Sequence, residues 1–163
     1  MHTLRVLQIV PGTSVDGPGL RTSVYLAGCT HRCPECHNPA SWDFHAGTEM
    51  DVDTLAGIII AHGFNVTLTG GDPLQTPDPD ALLRLVRLLK EDGLKIWCYT
   101  GYTLEEIHAD RPELLPLIQE FEAIVDGPFH IAERDTSLPF RGSRNQRILR
   151  PDGTPYTLNR CIL

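Results

Sequence analysis

The chain has 163 residues, 41% of them hydrophobic and 21% charged, with a formal net charge of −7 at pH 7. That length suits one domain over residues 1–163 with a single core, and the composition excludes a disordered chain. The acidic balance argues against wholesale nucleic-acid binding, which needs a basic face. No apolar run reaches the length of a membrane span, and no signal peptide is recognisable, so a cytoplasmic protein bound to neither nucleic acid nor membrane is expected.

Strand and helix signals alternate along the chain. "TSVYLAG" from Thr22 to Gly28 is β-branched and aromatic in its first half and reads as a buried strand. "DVDTLAGIIIAHG" offers Asp51 or Asp53 as an N-cap, apolar Leu55, Ile58 and Ile59 on one face, and Gly63 as a stop. "NVTLT" from Asn65 to Thr69 is the next strand, ended by Gly70-Gly71-Asp72-Pro73. Asp78 caps the clearest helix, with Pro79 in its first turn, Leu82, Leu85, Val86 and Leu89 at helical spacing, and Gly93 closing it.

"KIWCYT" from Lys95 to Thr100 is a third strand, followed by Thr103 and Glu106 at capping-box spacing. Leu114, Leu117, Ile118 and Phe121 form a further helical stripe, and "AIVD" from Ala123 to Asp126 is a fourth strand. Strands about thirty residues apart with helices between them have the period of right-handed βαβ units, so an α/β fold with a parallel sheet is expected. A full eight-fold barrel takes about 250 residues, so this chain supplies part of one or a short wound sheet. "QRILRPDGTPYTL" reads as a terminal hairpin around Asp152-Gly153.

The chemistry-bearing residues follow the strand ends. Three of the five cysteines, Cys29, Cys33 and Cys36, lie in "GCTHRCPECHN" in C-x3-C-x2-C spacing. A reducing cytosol and an odd cysteine count favour metal binding or catalysis over disulfides. Two readings stand on spacing alone: a structural zinc completed by the adjacent His37, or a 4Fe-4S cluster with three irons on cysteine and the fourth open to a ligand. Cys98 sits in an apolar strand as a buried free thiol, and Cys161 is near the terminus; neither is expected as a ligand. Because parallel α/β folds bind ligands at the carboxyl ends of their strands, the cysteine loop, Gly70-Gly71-Asp72, Thr100-Gly101-Tyr102 and Asp126 converge on one site.

The C-x3-C-x2-C loop followed by "HN", with "GGDP" after the next strand, resembles the radical S-adenosylmethionine (SAM) enzymes. "SVDGPGLRTSVYLAGC", "CHNPASW", "YTGY", "VDGPF" and "FRGSRNQR" narrow the resemblance to the anaerobic ribonucleoside-triphosphate reductase-activating proteins, over most of the chain from Ser14 to Arg147. The resemblance implies an incomplete (β/α) barrel with a mostly parallel sheet and outer helices. It implies one 4Fe-4S cluster per chain on Cys29, Cys33 and Cys36, and SAM bound beside it by Glu35, Cys36, His37, Gly70 and Gly71. Asp72 reads either as a further SAM contact or as part of the turn before Pro73, and Asp126 either as facing SAM from its strand end or as capping local backbone donors. The activity implied is reductive cleavage of SAM to a 5′-deoxyadenosyl radical that makes a glycyl radical on the glycyl-radical subunit of anaerobic (class III) ribonucleoside-triphosphate reductase. An electron donor such as flavodoxin would supply the electron.

Other readings change the substrate, to another glycyl-radical enzyme or a small molecule as in a deazaguanine synthase, or the class, to a non-catalytic Cys3His zinc module. The Asp16–Gly19 turn is either a simple turn or a neighbour of the incoming glycine loop. Arg141, Arg144 and Arg147 form either a solvated basic loop or a surface for the partner or a ligand carboxylate. His31 is expected to be exposed on the cysteine loop, and Trp42, Trp97 and Tyr102 to pack.

Overall fold

The computed structural model describes residues 2–34, 36 and 39–158. Its seven strands are β1 (Thr3–Thr13), β2 (Arg21–Leu26), β3 (Thr48–Asp51), β4 (Asn65–Gly70), β5 (Ile96–Tyr99), β6 (Ala123–Asp126) and β7 (Arg147–Leu149). They form one open sheet in the order β3-β1-β2-β4-β5-β6-β7. The central strands β2, β4, β5 and β6 are parallel, as the repeating βα pattern predicts. Both edges are antiparallel: β1 pairs with β2 and β3, and β7 with β6.

The β1–β3 edge was not foreseen. β1 has bulges between Val6 and Gln8 and between Val10 and Thr13, which break the two-residue alternation, and Pro11-Gly12 within it resembles a turn. β3 is the polar segment "TEMD", specified by its partner β1 rather than by its own propensity. At the other edge the expected terminal hairpin is present: the chain turns after β7 and returns with Leu149 bridged to Pro155.

The helices end where local chemistry dictates. In α1 (Val52–His62) it is the Asp51 carboxylate, not Asp53, that accepts from Thr54 N, and Gly63 closes the helix at φ 77°. Asp78 caps α2 (Pro79–Glu91) by accepting from Ala81 N, and Thr103 caps α3 (Leu104–Asp110) by accepting from Glu106 N. The expected stripe after α3 is a short 3-10 turn, Pro112–Leu114, and a single turn of helix, α4 (Leu115–Ile118). Pro112 and Pro116 each lack an amide donor, which limits helix length, yet Leu114, Leu117, Ile118 and Phe121 still enter the core.

Alternate residues of the central strands, among them Val24, Leu68 and Cys98, pack with α1, α2 and the α3–α4 segment in the main core. The opposite face carries a smaller cluster of Trp97, Ala123, Val125 and Ile148, joined by Tyr99, Phe140, Tyr156 and Leu158. Arg21 is also fully buried on this face. It donates from Nε to Thr67 Oγ1 at 2.8 Å, from Nη2 to Val66 O at 2.8 Å and from Nη1 to Pro18 O at 3.2 Å, and stacks over Trp97. The Asp16–Gly19 turn is thereby folded against the sheet.

Asp16 is 8% exposed; its Oδ2 accepts from Ser23 Oγ, while Oδ1 has no partner. Burial raises this carboxyl above its ordinary value, and Ser23 and Arg21 oppose that shift only in part. A carboxyl with a higher pKa folded than unfolded costs stability at neutral pH, and the cost is relieved as pH falls through the raised value. Asp16→Asn is therefore expected to raise Tm at neutral pH by about 2–4 °C, the effect of ~1 kcal/mol on a domain of this size, and to remove the gain on mild acidification. A lower Tm at neutral pH would show instead that the charged carboxylate stabilises the fold through Arg21.

Candidate iron–sulfur site

β2 and β4 run in parallel register from Arg21 opposite Asn65 to Leu26 opposite Gly70, so the loops after them leave the sheet at one level. The cysteine loop rests on a 3-10 turn, Pro39–Trp42: Gly28 N donates to Ser41 O at 2.7 Å and Cys29 N to Trp42 O at 3.2 Å. Cys36 N donates to Cys33 O at 3.1 Å, closing the loop on itself. Cys29, Cys33 and Cys36 are half-buried and line one cavity of about 280 Å³ together with Gly70, Gly71, Thr100 and Gly101. Glu35 and His37, and the distant Cys161, lie outside the described residues.

Gly70 and Gly71 line the cavity, and the structure adds a reason for glycine that the sequence does not display. A Cβ on Gly70, at φ 105°, would lie 2.5 Å from both Leu26 N and Leu26 O, and one on Gly71 would lie 2.5 Å from Gly28 O. The two glycines let the end of β4 pack backbone to backbone against the start of the cysteine loop. Gly71 N accordingly donates to Leu26 O and Asp72 N to Gly28 O, both at 2.8 Å.

The two aspartates are used by the protein itself. Asp72 is 1% exposed and does not line the cavity; its oxygens accept from Leu74 N, His31 Nε2, Thr100 Oγ1 and Gly101 N. Asp126 is fully buried. It accepts from Leu104 N at 2.9 Å, at the start of α3, and from Arg147 through both Nε and Nη2. Arg147 also holds Glu105 in a two-bond pair, which lowers that carboxyl to about 2.

The basic segment is therefore divided. Arg147 is committed to carboxylates, Arg141 donates to Gln146 O at 3.0 Å, and Arg144 is exposed. His31 departs from expectation: its side chain is 18% exposed because its ring is held against Asp72 and Tyr102. Trp97 packs as expected.

Tyr25, Thr69, Tyr99, Phe129 and Gln146 line the cavity and were not identified from sequence. The strand residues carried a signal. Tyr25, Thr69 and Tyr99 alternate with Val24, Leu68 and Cys98, so they occupy the face away from the helices. Burial raises the phenols of Tyr25 and Tyr99, which keeps both protonated at neutral pH. The chain between β6 and β7 lacks period and gave no such signal for Phe129 or Gln146.

The donor set suits an iron–sulfur cluster. Three soft sulfur ligands on one loop face a shared cavity. Burial raises the Cys29 thiol, while the backbone amides of His31 and Arg32 are placed to favour its thiolate. A cubane takes one thiolate per iron, so three cysteines on one loop can serve three of its irons.

Comparison with known proteins agrees. The family model described as "4Fe-4S single cluster domain" matches residues 15–149, which sets aside the Cys3His zinc reading. The chain is 37% identical over 157 residues to the anaerobic ribonucleoside-triphosphate reductase-activating protein of Pasteurella multocida, covering 90% of this chain and 98% of that one. It is 34% identical over 150 residues to the protein of the same name from Escherichia coli K12, covering 86% and 95%. It is 31% identical over 147 residues to that of Enterobacteria phage T4, covering 86% and 90%. Among solved structures it is similar in fold to QueE from Escherichia coli, with a TM-score of 0.51 and 18% identity over 62% of this chain and 54% of that one.

Proposed function

The chain belongs to the family of anaerobic ribonucleoside-triphosphate reductase-activating proteins, and from that premise we propose that it is a radical SAM activase that generates a glycyl radical on an anaerobic ribonucleoside-triphosphate reductase. The observation that carries the reading is the placement of three cysteines on the cavity at the carboxyl ends of the parallel strands, level with Gly70 and Gly71. Cys29, Cys33 and Cys36 are the proposed ligands of one 4Fe-4S cluster. When bound there, such a cluster supplies the single electron that cleaves the sulfonium of SAM.

The rest of the work belongs to the chain. Gly70 and Gly71 present backbone beside the cysteine loop, where the methionine end of SAM is proposed to lie. Tyr25, Thr69 and Tyr99 line the cavity and are proposed to help keep water from the reacting end. Glu35, Cys36 and His37 are proposed as cluster-loop contacts to SAM. Asp72 and Asp126, whose oxygens are bonded within the protein, are assigned to holding loops in place.

We further propose a single domain that acts in the cytoplasm with a flavodoxin-type electron donor and engages neither nucleic acid nor membrane. Among the described residues no helix is long and apolar enough to cross a membrane.

The decisive test combines the reconstituted protein, SAM, a strong reductant and the candidate reductase without oxygen. Both 5′-deoxyadenosine and a glycyl-radical electron paramagnetic resonance signal are expected. Deoxyadenosine without the glycyl signal would refute the partner while sparing the SAM chemistry. Stoichiometric zinc with no iron in an anaerobic preparation would refute both.

A further inference from the structure

We propose that Asp72 and His31 form a latch that holds the Cys29 half of the cysteine loop in ligating position before iron arrives, which makes them positioning residues for the cluster. The inference rests on the cluster reading above and extends it to the loop's own preorganisation.

Three strand-end segments meet at one carboxylate oxygen. Asp72 Oδ2 accepts from His31 Nε2 at 2.7 Å on the cysteine loop, and from Thr100 Oγ1 and Gly101 N, both at 3.0 Å, after β5. Its Oδ1 accepts from Leu74 N at 3.0 Å, anchoring the carboxylate to its own turn. A carboxylate has about four acceptor sites, and four donors converge here on a side chain only 1% exposed. Little capacity is left for the amino group of a ligand, and the cavity does not reach this residue.

His31 is seated as well as bonded. Its ring meets Tyr102 edge to face at 4.8 Å, and a Cβ at Gly101 would come within 2.4 Å of it, so glycine there makes the seat. Gln75 grips the preceding residue: its Oε1 accepts from Thr30 N at 2.6 Å and its Nε2 donates to Thr30 Oγ1 at 2.9 Å. Thr30 and His31 are thus fixed by side chains from the segment after β4. The amides that favour the Cys29 thiolate belong to His31 and Arg32, the residues this grip orients. The latch acts on the cluster through Cys29 and needs no contact with it.

The test compares His31→Ala, His31→Gln and Asp72→Asn at one pH. Hydrogen exchange of the iron-free protein reads the latch directly. In His31→Ala the amides of residues 29–32 are expected to exchange about tenfold faster, the effect of losing one hydrogen bond to a charged group. After anaerobic reconstitution, iron content should fall to about half or less, with a broadened spectrum of the reduced cluster. His31→Gln keeps an N–H at nearly the same reach and should restore protection, iron and line shape. Unfolding midpoints of the three variants show that the fold is retained.

Wild-type protection and a wild-type spectrum in His31→Ala would overturn the latch. So would a raised KM for SAM in Asp72→Asn with iron and spectrum unchanged, which would make Asp72 a ligand contact. If the wild type takes up no cluster, the reading of the site fails, while exchange in the iron-free protein still decides the latch.

Discussion

Alanine at Cys33 is expected to leave a folded protein that retains little iron and yields neither 5′-deoxyadenosine nor a glycyl radical. Cys33 is half-buried on the cavity, so its loss is expected to fall on the proposed cluster ligation. With two thiolates remaining on the loop, a cubane would lose a second iron's protein ligand. The proper control is Cys98→Ala. Cys98 is fully buried on the helix-facing side of β5, where removing one sulfur costs about 1 kcal/mol of packing and touches nothing in the cavity. Both products should persist in that variant, measured with iron content on the same preparation. Cluster loss in Cys98→Ala would overturn the three-cysteine assignment.

Arg147→Ala is expected to be the most destabilising of the single surface-facing changes, by about 3 kcal/mol or more in urea unfolding. The Arg147 side chain is 41% exposed, but its partner Asp126 is fully buried and would be left, among the described residues, with Leu104 N as its hydrogen-bond donor. The cost is that of an abandoned buried carboxylate, so Asp126→Asn in the same chain should recover most of the loss. Glu105 contributes much less, because it is 71% exposed and solvent screens its pair. If Arg147→Ala and the double variant were equally unstable, the pair would be immaterial and Arg147 would matter through its packing at the sheet edge.

How much of this was legible beforehand depends on whether the cause is local. The parallel core was legible because each of β2, β4, β5 and β6 carries its own apolar pattern and α1, α2 and α3 each carry their own cap. The cysteine loop and Gly70-Gly71 were legible as spacing after strands. β1 and β3 were not, since bulges erase the alternation of one and the other exists only as its partner. The roles of Asp72 and Asp126 were hidden for a related reason. Leu74 N apart, their donors lie far away in sequence, at His31 and Thr100 for one and at Leu104 and Arg147 for the other, and a lone carboxylate at a strand end reads equally well as a ligand or a strut. His31 was misplaced because nothing near it in sequence announces the seat made by Gly101 and Tyr102.

The register of β5 has a consequence for any carbon-centred radical formed in the cavity. Thiol S–H groups surrender hydrogen atoms readily, and β5 carries one, at Cys98, next to a residue that forms the cavity wall. The two-residue alternation sends Cys98 toward the helices and Tyr99 toward the cavity, with the Tyr99 hydroxyl already donated to Phe140 O. A slip of one residue against β4 or β6 would exchange the two faces and offer the thiol as a quencher. The pairings of Leu68 with Cys98 and of Cys98 with Ile124 thus guard the reaction as well as the core.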